Sequence, residues 1–293
     1  MSAMTDLSSA LAEAAAASAG GVVAVHGGRC DTTSGVAWSA EHVVTAAHAL
    51  ERESDLEVTI GEERAPATLL GTDPGTDLAV LRVERTLTPL RLADEAALRV
   101  GNLVLAVSRN ARGSRARLGI LSRVGGAFRL GGGTRIERYL ESDIAPTPGL
   151  SGSALVDATG ALVGVNATGL VRGALVALPA SAVTRVVDAI VAHGHVRRAK
   201  LGVALQSVEL PGAVAERRGK DRGLIVLGVA PGGPAERAGV LVGDVLLAVA
   251  GSAVGRIDEL QSVLDEGKIG ADVAVELLRA GAETILTLKP EAR

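Results

Sequence analysis

Ser151 lies in a short segment, Thr147-Pro-Gly-Leu-Ser-Gly-Ser153, whose residue types could support acyl-transfer chemistry. Glycines at positions 149 and 152 flank the serine, so the backbone can form a tight turn that exposes the hydroxyl group. In such a turn the serine's own N–H can stabilise the negative charge that develops on an attacked carbonyl oxygen. Because the same pattern is common in ordinary turns, the interpretation depends on a base and an acid elsewhere.

His48 and Asp77 are the candidates for that base and that acid. His48 ends the apolar run 43–48, in which alanines leave room around the ring, and Asp77 lies where the turn 71–77 leads into the apolar run 78–81. Asp73, which precedes Pro-Gly, is better suited to hold this turn, so Asp77 is available for another role. Each residue alone is also compatible with a structural role, a core histidine and a turn aspartate. Together they follow the order His, Asp, Ser of chymotrypsin-like peptidases.

An α/β-hydrolase is the other fold with a serine on a glycine-flanked turn. Its order would be Ser, acid, His, and Ser153 stands where that turn needs glycine. The sequence therefore argues against this fold.

Composition limits the remaining function classes. Aromatic residues make up 1% of the 293 residues and the formal net charge is −3, so we expect no nucleic-acid partner. Cys30 is the only cysteine, which excludes an intrachain disulfide and a four-cysteine metal site. His193 and His195 have no acidic ligand nearby and are interpreted as solvated linker residues. We expect neither a metal ion nor a cofactor.

Residues 1–21 form a predicted helical segment that ends at Gly20 and Gly21. The chain has no Lys or Arg before Arg29, which is the wrong charge for a secretory leader, and the alanine-rich run is too short to span a bilayer. The sequence as it stands predicts a cytoplasmic protein. The alternative is a periplasmic or membrane-anchored protein whose start codon was misassigned.

From residue 22 onward, short apolar runs alternate with Gly, Asp and Asn, a texture typical of β-sandwiches and barrels. Twelve strands are predicted up to residue 178, among them one over 135–142, and this number suits two small antiparallel barrels. A helix is predicted over 182–193, followed by a domain boundary near residue 195. The remainder predicts a smaller α+β domain with helices over 234–238 and 257–266.

Five separated blocks resemble the HtrA family of serine proteases. Thr-Ala-Ala-His48, Thr76-Asp-Leu-Ala-Val-Leu81 and Pro148-Gly-Leu-Ser-Gly152 are similar to its catalytic blocks, 162–179 to its cleft strands, and 235–251 to the core of a PDZ domain. The resemblance implies a mainly β protein: two antiparallel β-barrels of a trypsin-like protease over 22–194, then a PDZ domain over 195–293.

The resemblance also implies roles. His48, Asp77 and Ser151 would be the catalytic triad, and the N–H groups of Gly149 and Ser151 would form the oxyanion hole. The specificity pocket would have no acid, because an alanine stands six residues before the nucleophile, so small or aliphatic residues are the expected preference. Its members would be Ala145, Ala174, Leu175 and Val176.

In the second domain, a loop and a helix resemble the peptide groove of a PDZ domain. Backbone N–H groups of the loop would bind a C-terminal carboxylate, and two leucines one helical turn apart would form the side-chain pocket. These residues are Lys200, Leu201, Gly202, Val203, Leu260 and Leu264. Family members commonly form trimers through aromatic residues near the N-terminus, whereas this chain has none before Trp38, so the homotrimer stays open.

Two functions follow. The first is a serine endopeptidase for unfolded or damaged proteins, in protein quality control, with PDZ recognition of C-terminal peptides. The second is a catalytically silent peptide-binding or chaperone-like protein on the same fold. Leu150, Ser153 and Ala154 allow the second, because the family usually has Asn, Gly and Pro there.

Overall fold

The structure is a computed structural model that describes residues 3–27, 32–130, 134–171, 173–264 and 266–292; Cys30 lies outside these ranges. The chain divides into two compact units, one of residues 1–130 and 136–196 and one of residues 131–135 and 197–293. No helix in the described part of the chain is long and apolar enough to cross a membrane.

Two closed antiparallel barrels form the larger unit. The first has the strand order β1-β2-β3-β6-β5-β4. Its strands are β1 Val22–His26, β2 Thr33–Ala37, β3 His42–Ala46, β4 Leu56–Ile60, β5 Glu63–Asp73 and β6 Leu78–Val83. The mainly β fold expected from the sequence, with two such barrels, is confirmed.

The second barrel has the order β11-β14-β13-β12-β7-β8. Its strands are β7 Leu103–Asn110, β8 Gly113–Gly125, β11 Tyr139–Ser142, β12 Ala154–Asp157, β13 Leu162–Ala167 and β14 Leu175–Pro179. The strand predicted over 135–142 is wrong: it is divided into a short β10, Arg135–Ile136, and β11. A second short strand, β9 Phe128–Arg129, precedes β10.

Strands β3 and β6 explain why this sequence reads as continuous apolar runs. Val43 and Leu81 point into the core of the first barrel, while their neighbours Val44 and Val80 belong to a cluster shared by both barrels and the helix that follows β14. All four are fully buried. A strand whose two faces are both covered loses the polar alternation of a half-exposed strand.

Two helices complete the larger unit: α1, Ala3–Ala19, and α2, Ala180–His193. One face of α2 joins the cluster shared by the barrels, as the spacing of Val183, Val187 and Ile190 predicts. The helix ends at Gly194, whose φ of 76° and N–H bond to the Ile190 carbonyl (2.7 Å) form a left-handed cap.

The smaller unit is a β-sheet with short helices and its own apolar core. The main sheet has the order β16-β17-β18-β20-β21, and β19 pairs with β18. The elements are β15 Ala199–Lys200, β16 Val203–Glu209, α3 Gly212–Arg218, β17 Arg222–Val229, α4 Pro234–Arg237, β18 Val245–Val249, β19 Ser252–Ala253, α5 Ile257–Val263, β20 Val273–Arg279, β21 Ala282–Leu288 and β22 Glu291–Ala292. Helix α5 is shorter than predicted, since it ends before Leu264, and α3 was not predicted.

Candidate active site

Asp77 leaves the turn between β5 and β6 in a left-handed conformation, with φ of 59°. The turn itself is held by the buried Asp73, whose carboxylate accepts hydrogen bonds from the N–H groups of Gly75 (3.3 Å) and Thr76 (3.1 Å) and from the Thr76 hydroxyl (2.8 Å). Asp73 therefore has the turn role that the sequence predicts for it. The carboxylate of Asp77 is free to contact another element.

That element is the short 3₁₀ helix of residues 47–49, which follows β3 and carries His48. One carboxylate oxygen of Asp77 accepts from the His48 N–H (2.9 Å), and the other lies 2.5 Å from Nδ1 of the imidazole. The Asp77 carbonyl also accepts from the N–H of Ala47 at 2.8 Å. These contacts fix the position and the rotation of the ring, which is about half exposed and presents Nε2 away from Asp77.

Ser151 lies on a turn between β11 and β12, where both flanking glycines have positive φ: 85° at Gly149 and 77° at Gly152. At Gly152 there is also no room for a side chain. A Cβ there would lie 2.4 Å from the carbonyl oxygen of Ser34 and 2.8 Å from the Thr45 hydroxyl. The close approach of the first barrel therefore requires glycine directly after the serine.

The backbone around Ser151 offers two unpaired donors. Among the described residues, the N–H groups of Gly149 and Ser151 donate to no acceptor. The N–H groups of Leu150 and Gly152, which alternate with them, donate to carbonyl oxygens at 3.2 and 2.8 Å. Two free donors beside a serine hydroxyl are what an oxyanion site needs.

The Ser151 hydroxyl itself is bonded to Thr168, the first residue after β13. Its Oγ lies 2.6 Å from the Thr168 hydroxyl and accepts from the Thr168 N–H at 3.2 Å. Within the described part of the chain, no hydrogen bond joins Ser151 to His48. The structure thus brings His48 and Asp77 together and holds the serine hydroxyl on another partner.

The four residues of the predicted specificity pocket differ in exposure. Ala145 is exposed and Ala174 is partly buried. Leu175 packs in the core of the second barrel together with Leu150, and Val176 is fully buried in β14.

Sequence reasoning missed the residues of the first barrel that hold the serine turn. The Ser34 hydroxyl accepts from the N–H of Arg109 (3.0 Å) and lies 3.3 Å from the Gly149 carbonyl oxygen, and the Thr33 hydroxyl donates to the Ser151 carbonyl (3.3 Å). A hydroxyl residue on a buried strand carries no signal of such a contact in one sequence.

In the smaller unit, β16 is an edge strand that pairs with β17 among the described residues. Just before it, the N–H groups of Leu201 and Gly202 donate to no acceptor in the described part of the chain. Val203, Leu260 and Leu264 join one apolar cluster behind this edge, and Lys200 is exposed. All six predicted groove residues therefore lie at or near one edge of the sheet.

The chain resembles known proteins over nearly its whole length. A model of the trypsin-like peptidase domain matches residues 33–165, and a model of the PDZ domain matches residues 199–289. The solved structure of the HtrA-type protease AlgW with decapeptide has a TM-score of 0.74 and 27% identity, covering 97% of this chain and 98% of that one. A serine endoprotease from Yersinia pestis gives a TM-score of 0.73 and 26% identity, covering 97% and 98%.

Two curated relatives are similar in sequence. A probable periplasmic serine endoprotease DegP-like of Marinomonas sp. (strain MWYL1) is 32% identical over 262 residues, covering 86% of this chain and 55% of the relative. Periplasmic serine endoprotease DegP of Escherichia coli (strain K12) is 29% identical over 258 residues, covering 85% and 54%. The chain thus spans about half the length of these relatives.

The two barrels with the His48–Asp77 pair, followed by the smaller unit, define a trypsin-like serine peptidase fold joined to a PDZ domain. More particularly, the chain belongs to the HtrA family of serine proteases.

Proposed function

We propose that this chain is a serine endopeptidase that uses His48, Asp77 and Ser151 as its catalytic triad. The observation that carries the proposal is the pair of hydrogen bonds by which Asp77 orients His48, at 2.9 and 2.5 Å. A histidine held at Nδ1 by a carboxylate exposes Nε2 as a base, which is the role that acyl transfer from a serine requires.

In the proposed mechanism, the Ser151 hydroxyl rotates from Thr168 toward His48 and attacks the carbonyl carbon of the scissile peptide bond. His48 accepts the hydroxyl proton and later donates it to the leaving amine, while Asp77 stabilises the imidazolium. The N–H groups of Gly149 and Ser151 stabilise the oxyanion. A water molecule, activated by His48, then releases the acyl group.

Substrate preference follows from the apolar surroundings of the serine. With Ala145 and Ala174 at the accessible part of the pocket and Leu175 and Val176 behind them, the residue before the scissile bond is small or aliphatic. A pocket without an acid gives no partner for Arg or Lys, whose charge would be desolvated there.

The PDZ domain is proposed to capture C-terminal peptides through the N–H groups of Leu201 and Gly202 and the open edge of β16. Unfolded or damaged proteins are the proposed substrates, because cleavage needs an extended segment in the cleft and capture needs an accessible C-terminus. The division into 1–21, 22–194 and 195–293, the homotrimer and the cytoplasmic location stay predictions; the two DegP relatives are named as periplasmic proteins.

A catalytically silent peptide-binding protein is the second candidate, and one observation favours it. The Ser151 hydroxyl is bonded to Thr168 and not to His48. If this hydrogen bond persisted in solution, the serine would have no base, and the fold would serve binding alone.

A fluorophosphonate probe decides between the two candidates. We expect stoichiometric labelling of Ser151 in the folded chain, and a loss of at least ~10³-fold in labelling rate for His48→Ala, because the hydroxyl then lacks its base. Ser151→Ala is the control for labelling elsewhere. With internally quenched peptides, the same preparation should cleave after Val and not after Arg. Absence of labelling in folded protein would exclude the endopeptidase and leave the binding protein.

A further inference from the structure

A cavity of about 200 Å³ opens beside the serine turn and is lined by basic residues without an acidic one among the described residues. Three arginines, Arg109, Arg115 and Arg117, share it with Gly149 and Leu150, and no described carboxylate lines it. At roughly 30 Å³ per water molecule, this is space for about seven waters, enough for one Asp or Glu side chain. In a chain of net charge −3, a pocket with three cations and no acid is locally positive.

None of the three guanidinium groups has an acidic partner among the described residues. Arg117 donates to the Thr147 hydroxyl in the serine loop, and Arg109 donates to the Gly61 carbonyl. The Nε–H of Arg109 is buried and has no acceptor in this part of the structure. Arg115 is exposed, and its side chain makes no hydrogen bond or ion pair with the described residues, although its backbone belongs to the β7–β8 ladder. The three guanidinium charges therefore lie at the cavity without an acidic partner among the described residues, and they are available to bind an anionic ligand.

The cavity shares Gly149 with the proposed oxyanion hole but none of Ala145, Ala174 and Thr168. Its walls come instead from the β7–β8 hairpin, the residue before β2 and residues 148–150. A peptide that lies across Ser151 extends in both directions from the scissile bond. The acyl half takes the apolar pocket beside β14 in the proposed function, so the cavity, which shares none of that pocket's residues, is available to the half that leaves.

We propose that Arg109, Arg115 and Arg117 form a subsite for a carboxylate in the first two residues after the scissile bond. Guanidinium groups bind carboxylates through paired N–H donors, and the bonds are strong where water is partly excluded. The subsite rests on the proposed function: the chain would prefer to cut between an aliphatic residue and an acidic one. The carboxylate is that of an Asp or Glu side chain.

The test compares peptides that differ only after the scissile bond. Internally quenched peptides with Val before the bond carry Glu-Glu or Gln-Gln after it. We expect kcat/KM of the full chain to be at least about tenfold higher for the Glu peptide. The ratio should fall to about one in the double variant Arg115→Gln/Arg117→Gln and decrease with added salt. Arg123→Gln, on β8 but outside the cavity, is the matched control and should keep the ratio.

Two further arms make the outcome unambiguous. The double variant Arg115→Lys/Arg117→Lys keeps the charges and should keep a preference for Glu, which a merely misfolded variant would not. A peptide with neutral side chains that ends two residues after the bond, as free acid or amide, tests whether a chain-end carboxylate is the ligand instead. A preference for that free acid, without one for Glu, would overturn the assignment to side chains.

The binding of amidated peptides to the Ser151→Ala chain separates this proposal from the proposed function. Tighter binding of the Glu than of the Gln peptide, by about tenfold and lost in the Gln double variant, would support the subsite even without cleavage. Equal affinities and equal kcat/KM values would overturn it while fluorophosphonate labelling of Ser151 upheld the endopeptidase.

Discussion

The hydroxyl group of Ser151 is bonded to Thr168, and in the proposed mechanism it has to turn to His48 before it can react. Thr168 contacts it with a hydroxyl at 2.6 Å and an N–H at 3.2 Å, whereas His48 is held in place by Asp77 and makes no hydrogen bond with the serine among the described residues. A serine Oγ that accepts hydrogen bonds is a weaker nucleophile than one that donates to a base. In the proposed mechanism, the contact with Thr168 is therefore a resting arrangement of the serine.

Replacing Thr168 by Val should speed the reaction of Ser151. The substitution keeps the shape and removes one hydrogen bond worth about 1 kcal/mol, so we expect the rate of fluorophosphonate labelling to rise about fivefold. Thr184→Val, in α2, is the control, because its hydroxyl bonds only to the Ala180 carbonyl. An unchanged or lower labelling rate for Thr168→Val would mean that this hydroxyl does not restrain the serine.

At the scale of elements, the features that could be predicted from the sequence are those that depend on a local pattern of residues. The barrel strands and α2 follow from apolar runs and glycine stops, and the spacing of His48, Asp77 and Ser151 follows from a recognisable order of motifs. The contacts of Ser34 and Thr168 with the serine turn could not be predicted, because they join residues 115 and 17 positions apart that only the folded chain brings together. The basic cavity likewise needs the β7–β8 register and the serine loop together.

In the PDZ domain, one ion pair holds the loop before β18 to β20. The Asp244 carboxylate is 2% exposed and accepts from Nε and an Nη of Arg279 (2.8 and 2.7 Å) and from the Leu241 N–H (2.8 Å). These hydrogen bonds, first of all those from Arg279, lower the pKa of Asp244. The charged form is therefore the one that stabilises the fold.

Asp244→Asn should destabilise the PDZ domain in a pH-dependent way. Because the folded pKa lies below the unfolded value of about 3.9, the stabilisation is complete above pH 4 and is lost as the pH falls through the folded pKa. Since Arg279 is one-third exposed, we expect a cost of only ~1–2 kcal/mol at pH 7. The difference from the native chain should shrink progressively as the pH falls below 4 toward the folded pKa.

The measurement is urea unfolding of the full chain, followed by hydrogen-exchange protection of β17 and β18. Asp272→Asn is the control, because its pair with Lys289 is 3.6 Å long and both side chains are about two-thirds exposed, so its effect should stay within about 0.5 kcal/mol. If Asp244→Asn lowered the free energy of unfolding by the same amount at pH 7 and at pH 3, the role of the charge would be contradicted.

At the scale of the whole molecule, the chain joins a unit that carries the candidate active site to a unit with an open strand edge. Each unit has its own apolar core, and among the described residues each site has two backbone N–H groups that donate to no acceptor: those of Gly149 and Ser151 in one and those of Leu201 and Gly202 in the other. Both pairs of N–H groups are suited to bind a negatively charged oxygen. In the first site this would be the transient oxyanion, and in the second the permanent carboxylate of a chain end. Cleavage and capture should therefore be separable by mutation.

The Ser151→Ala chain should bind a peptide with a free C-terminus at least about tenfold more tightly than the same peptide as an amide. Only the carboxylate offers a charged acceptor to the N–H groups of Leu201 and Gly202. Fluorescence anisotropy with peptides ending in an aliphatic residue measures this difference, since Leu260 and Leu264 belong to the apolar cluster behind this edge. The difference should persist in the Arg115→Gln/Arg117→Gln background, which removes the other proposed carboxylate site. Equal affinity for acid and amide would show that the edge of β16 does not receive a chain end, while leaving the chemistry at Ser151 untouched.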